Sequence, residues 1–278
     1  MGLRSAAGLA TMRNVIINAD DYAMDAGVDA AILRLAELGV VTATSAMVLA
    51  PRWPEAAAAV RNGPPLSVGL HFDLTSPFAT AGLPAQSLSA LILRTHAGLL
   101  DRATLRHRVD RQLSLFDEVL GQPPAFVDGH QHVHHLPAIR QVLLEALEFR
   151  YGSAKSRIGL RICAPRRWSG VKAAIVAATG ARGLSRLAVE GRHPLNSDFA
   201  GVYDFDPAAD IPALWEGWAA GLRGPFPLIM CHVAAGSDPA PQDPIRLARL
   251  REFEWLASQE FRSFLQRHAL APARWPRA

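Results

Sequence analysis

The chain has 278 residues, about half of them apolar, which is enough for one sizeable buried core. Its net charge of +4 rests on arginine, since Lys155 and Lys172 are the only lysines. Arg102, Arg106, Arg111, Arg246, Arg249 and Arg251 are interspersed with acids and read as solvated helix faces, so no basic stripe points to nucleic acid.

Two cysteines, Cys163 and Cys231, supply no disulfide framework and suggest a reducing, cytoplasmic setting. No charge-free apolar run reaches the ~20 residues of a membrane span. Residues 1–11 lack the long apolar stretch of a secretory signal. The expectation there is a disordered tail or a natural start at Met12, with one domain over 12–278.

From Asn14 onward, strand-like runs alternate with helical patterns. "NVIINAD" (14–20) reads as a strand and "GVDAAILRLAELG" (27–39) as a helix ending at Gly39. "VVTATSAMVLA" (40–50) is a strand, "RWPEAAAAVRN" (52–62) a helix and "LSVGLHFDLT" (66–75) a third strand. Residues 101–120 form a helix, 125–130 a strand, 138–150 a helix, 158–164 a strand and 170–182 a helix. The helix at 213–222 precedes the last clear strand, "FPLIMCHVA" (226–234), and arginine-rich helices over 244–268 follow. This alternation implies a mainly parallel sheet covered by helices, as an open doubly wound sheet or as a barrel. No G-x-G-x-x-G follows the first strand, and neither G-x-x-x-x-G-K-[ST] nor G-x-S-x-G occurs. Glycine-loop nucleotide binding and the usual serine-hydrolase chemistry are therefore set aside.

Polar residues interrupt the apolar strands at their C-terminal ends, where parallel α/β folds collect functional groups. Asp20 and Asp21 end the first strand, and His71 and Asp73 the third. "FVDGHQHVHH" (126–135) then places four histidines within six positions, and strand alternation would put Asp128, His130, His132 and His134 on one side. Arg161 lies in a later strand and His232 ends the last. Imidazoles and carboxylates converging from separate strands suit a divalent metal with an open position. An Asp-Asp pair cannot point both carboxylates one way on a regular strand. At a turn, however, one can hold a metal while the other acts as general base. The competing reading is a helix cap, for which Asp25 is already well placed.

Together "VIINADDYAMDAGVDAAILRLAELGVVTATSAMV", "VGLHFDLT", "FVDGHQHVHHLP", "LRI" and "LIMCH" resemble the YdjC-like (ChbG/HpnK) carbohydrate deacetylases over essentially the whole chain. The resemblance implies a single-domain irregular (β/α) barrel of mostly parallel strands, related to the NodB-like deacetylases. It implies removal of N-acetyl groups from an amino sugar or short oligosaccharide with one divalent ion. By the same resemblance Asp21, His71 and His130 are the metal ligands and Asp20 the general base. His232 would protonate the leaving amine and Arg161 would orient Asp20. His132 and His134 become supporting or substrate-contacting groups. The ion is magnesium by family resemblance, whereas two imidazoles suit zinc better. The chain departs from the family pattern at Tyr22 (usually phenylalanine), at Gly129 (commonly serine) and at "CHVAAG" (often "CHP"). A homodimer is compatible with this reading. The alternatives are a metal-dependent amidohydrolase or phosphoesterase, which typically place H-x-H after strand one, and a non-catalytic sugar- or metal-binding barrel.

Overall fold

The first apolar run forms β1 (Arg13–Tyr22), and its last eight residues are all buried, as a central strand requires. β2 (Ala43–Ala46) flanks it on one side and β7 (Leu228–Cys231) on the other, both parallel to it. The sheet continues outward through β3 (Ser67–Phe72), β4 (Phe126–Gly129) and β5 (Gly159–Leu160). β6 (Phe199–Ala200) lies beyond β7, giving the order β5-β4-β3-β2-β1-β7-β6. An eighth strand, β8 (Leu270–Pro272), pairs with the opening residues Arg13–Val15 of β1. The computed structural model describes residues 12–80, 87–167, 170–236 and 243–276, so the segment 1–11 lies outside the described residues.

The sheet curls, and its β5 edge is met by the segment that leads into β6. Leu160 N–H donates to Pro194 O at 2.9 Å, making a single parallel bridge between Leu160 and Leu195. The Asn196 side chain then accepts from Ile162 N at 2.8 Å and donates to Ile162 O at 2.9 Å, an amide standing where a strand is missing. The result is a half-barrel of parallel strands, the curled form that the resemblance implies out of the open sheet or barrel left by the alternation.

Helices α1 (Ala26–Glu37), α2 (Trp53–Asn62), α4 (Arg102–Leu120) and α5 (Pro137–Tyr151) form within two residues of their expected bounds. Asp25 caps α1, accepting from Val28 N at 2.9 Å. The helix expected at 170–182 is instead α6 (Val171–Ala178) and the start of α7 (Ala181–Glu190), broken at Gly180 with φ 139°. The strands expected at 40–50 and 158–164 shrink to β2 and β5. Helices α3 (Leu88–His96), α8 (Ile211–Gly221), α9 (Arg246–Ala257) and α10 (Gln259–Arg267) complete the set. Among the described residues no helix is long and apolar enough to cross a membrane, and both cysteines are buried and free.

Strand alternation sorts the side chains into two cores. Outward residues such as Ile17, Ala46, Leu70, Val127 and Ile229 pack with the helices, while Ile16, Ala43, Phe126, Phe199, Leu228 and Met230 fill the lumen. Trp275 stacks on Phe126 from below, with ring centroids 4.7 Å apart. That leaves no room at Gly69, where a Cβ would lie 2.4 Å from the Phe126 ring. Gly69→Ala should therefore cost about 1–3 kcal/mol by overpacking. Adding Phe126→Leu should recover part of that loss, so the double mutant is more stable than the sum of the singles in denaturant titrations. Strict additivity would show that the two positions do not share space.

Candidate functional site

The inward positions above the apolar lumen are polar. Asn18, Asp20, Ser45, His71, Asp128 and Arg161 are all essentially without exposed surface and meet at the C-terminal end of the strands. Arg161 organises them. Its Nη1 donates to Asp20 Oδ1 at 2.6 Å, its Nη2 to Asp20 Oδ2 at 2.9 Å, and Nη1 also reaches Asp128 Oδ2 at 3.0 Å. Asn18 Nδ2 adds a donor to Asp20 Oδ1 at 2.7 Å, and Ser45 Oγ donates to Asp128 Oδ2 at 2.6 Å. Burial alone would raise the Asp20 pKa, but Arg161 and the neighbouring imidazoles outweigh it and hold the carboxyl well below the usual range.

Asp21 turns to the same side as Asp20. The pairing register with β2 shifts between Ala19 and Tyr22, and Asp21 adopts φ 69°, a left-handed conformation that L residues rarely take. This bulge lets adjacent carboxylates serve one cleft, which a regular strand forbids. Asp21 Oδ1 lies 3.4 Å from His71 Nε2 and 3.2 Å from His130 Nδ1. Ligand atoms of Asp21, His71 and His130 all fall within 4.8 Å of one another, so these three residues could hold a metal ion. The opposite ring nitrogen of His71, Nδ1, meets Asp128 Oδ1 at 2.6 Å. That contact fixes the ring and leaves Nε2 turned to the cluster, the usual support for a ligating imidazole.

Two further groupings are less suited to an ion. Asp20 and Asp128 also cluster with His71, but both carboxylates are already engaged by Arg161. His134, His135 and Cys163 lie together, yet burial pushes the Cys163 thiol up to about 12, and the Arg161 cation is adjacent.

The histidine segment departs from the expected alternation. β4 ends at Gly129, and His130–His135 form a 3-10 turn in which Gln131 and His132 have φ 51° and 60°. His130 keeps its place at the cluster with 22% of its side chain exposed. His132 is half-buried, edge-on to Phe199, and burial beside Arg161 holds it neutral. His134 is fully buried with Nε2 at 2.8 Å from Arg161 O, so it supports the backbone just past β5 and has no surface toward a ligand. Asp73 is drawn into a local turn with Thr75 and Ser76, away from the cluster. Two departures from the family pattern also have local reasons. The Tyr22 hydroxyl donates to Ala56 O at 2.7 Å, and a Cβ at Gly129 would press on His134 at 3.0 Å.

His232 follows β7, with Nε2 3.9 Å from Asp20 Oδ2 and its ring edge-on to Phe205 at 5.0 Å. Burial pushes its pKa down to about 4 against the pull of Asp21 and Asp20, so the imidazole is neutral at pH 7. Arg249 and Glu252 of α9 also reach the site. Arg249, expected on a solvated face, is instead 2% exposed with Nη2 2.6 Å from Asp21 Oδ2. Glu252 accepts from His232 N at 3.1 Å and from the Tyr203 hydroxyl at 2.8 Å, and burial raises its pKa to about 8. The signal available in sequence was that both charges fall on the helix stripe of Ala248 and Leu256.

The chain belongs to the YdjC-like protein family, whose model matches residues 14–267. It is 33% identical over 130 residues to a chitooligosaccharide deacetylase of Enterobacter sp. (strain 638), covering 45% of this chain and 52% of that protein. A chitooligosaccharide deacetylase of Serratia marcescens matches at 33% over 136 residues with the same coverage. The chain thus spans about half the length of these curated relatives. A solved protein of Enterococcus faecalis V583, described provisionally as a cellobiose-phosphate cleavage protein, shares the fold with a TM-score of 0.70 at 23% identity, over 95% of this chain and 98% of that one.

His71 gives a direct test of the site's electrostatics. Burial opposes its charge, but Asp128 foremost, then Asp21 and Asp20, raise it to about 10 in the metal-free protein. Asp128→Asn should bring that titration down toward the ordinary imidazole range near 6.5, read by NMR of the His71 ring. A titration that stays near 10 would mean Asp128 is not the dominant partner.

Proposed function

We propose that this YdjC-like family member is a metal-dependent hydrolase that removes N-acetyl groups from an amino sugar or short oligosaccharide. The observation that carries the reading is the convergence of Asp21, His71 and His130 beside an Arg161-held Asp20 and a neutral His232. The deacetylase relatives, matched over half their length, support the same chemistry.

Asp21 Oδ1, His71 Nε2 and a ring nitrogen of His130 would hold the ion, and the donor set fits one. Two imidazoles and one carboxylate favour zinc or a similar borderline cation over magnesium, which prefers oxygen. When bound, such an ion polarises the amide carbonyl and acidifies water. The chain's own groups then move protons. Asp20, ionised at every working pH, accepts the proton of the attacking water. Held by Arg161 it is a weak base, so its role is a fixed acceptor rather than a strong one. His232 Nε2 stands next to Asp20 Oδ2 and, being neutral, can take up that proton and deliver it to the departing amine. The pKa of about 4 makes His232 a relay filled during the reaction, not an acid already charged at neutrality. Phe205 beside His232 offers an apolar wall for a sugar face.

Asp20→Asn should retain the ion by elemental analysis while acetate release from N-acetylated sugars falls by ~10²–10⁴-fold. Undiminished turnover with metal bound would remove Asp20 from the chemistry. His71→Ala should lose most of the metal and the activity together. Because His71 carries a proton up to about 10, an entering ion must displace it. Metal affinity of the apo protein should therefore rise about tenfold per pH unit between pH 6 and 8. A pH-independent affinity by calorimetry would exclude His71 as the donor.

A further inference from the structure

The Asp21 carboxylate is held from two sides. Oδ1 faces His71 Nε2 and His130 Nδ1 at 3.4 and 3.2 Å, whereas Oδ2 accepts from Arg249 Nη2 at 2.6 Å. Arg249 is itself fixed. Its Nε donates to Asp243 Oδ2 at 2.6 Å, and Asp243 Oδ1 accepts from Ile245 N at 3.1 Å at the start of α9. The guanidinium is almost fully buried, so this bracket is neither screened by solvent nor free to change partners.

We propose that Arg249 is a positioning residue that confines Asp21 to one oxygen toward a bound cation. The proposal rests on Asp21, His71 and His130 being the metal ligands. A carboxylate with both oxygens free can swing to bidentate contact, as acids do around oxygen-seeking ions. With Oδ2 engaged, Asp21 offers Oδ1 alone, and the coordination positions left over fall to water and substrate. The same contact keeps Asp21 in its left-handed backbone conformation, φ 69°, which needs outside support to persist. Asp243 is the second half of the device, because a guanidinium anchored at Nε presents Nη2 in one orientation.

Cobalt(II) substitution separates this role from a merely structural ion pair, since its visible bands weaken as the coordination number rises. Wild-type, Arg249→Gln, Asp243→Asn and His71→Ala proteins would be titrated with cobalt(II), with folding checked by circular dichroism. In Arg249→Gln the second Asp21 oxygen becomes available, and band intensity should fall by roughly half. Asp243→Asn should move the bands in the same direction. If Arg249→Gln does not fold, the Asp243→Asn spectrum decides. Wild-type bands in the folded variants, whatever their melting temperature, overturn the proposal. His71→Ala should abolish the bands. If it keeps them while Arg249→Gln also keeps them, the ligand assignment itself has failed, whereas their loss in His71→Ala alone isolates the failure to Arg249.

Discussion

A guanidinium sealed inside the half-barrel sets the terms for everything around it. Isolated, such a charge would cost several kcal/mol or more. Arg161 is offset by Asp20 from β1 and Asp128 from β4, so one cation ties together strands from different parts of the sheet. Once those carboxylates are committed, the nearby polar groups have few options. Asn18 and Ser45 must satisfy the spare lone pairs, and His71 must answer Asp128. Counting Arg249, two guanidiniums face the four carboxylates of Asp20, Asp21, Asp128 and Asp243, which leaves negative charge over. A proton on His71 or a cation beside it offsets that excess. The cluster is poised for positive charge by its composition, before any particular ion is named.

The division of the lumen follows from strand periodicity. Each strand that carries apolar residues inward low in the sheet carries a polar one inward at its last turn: Ile16 then Asp20, Phe126 then Asp128, Leu228 then His232. The stacked Phe126 and Trp275 supply close packing, and the charged layer rests on it. Rigid strands thus aim the groups of the site, and loops need only supply walls. At this layer Asp21, Gln131 and His132 take left-handed backbone conformations, where a regular strand or turn would have aimed the side chains elsewhere.

Much of this could be read from the sequence. The alternation gave the sheet and its helices, and the polar interruptions at strand ends marked the residues that gather in the cleft. What was hidden depends on local backbone and on tertiary context. Periodicity could show that Asp20 and Asp21 conflict on a strand, but not that a bulge resolves the conflict. It carried the histidines onward in alternation, whereas left-handed residues end the strand and send His134 beneath Arg161. β6 and β8 have two and three residues, too short for any pattern to show. Arg249 was grouped with other arginines by composition. Its burial is a property of what α9 packs against, and only its position in line with Ala248 and Leu256 hinted at it.

The pairing of β1 with β8 has a consequence for how the molecule is made. Arg13 lies beside Leu270, and Trp275 fits under β3 with its backbone N–H donated to Ser67 Oγ. β1 is therefore synthesised more than 200 residues before the segment that pairs with its opening residues and fills the lumen beneath it. Parallel sheets already depend on distant contacts, which slow folding and prolong the exposure of apolar strands. During that interval the N-terminal strands are a nascent surface that other chains can bind. The step that completes the floor of the barrel is also the one that ends this vulnerability.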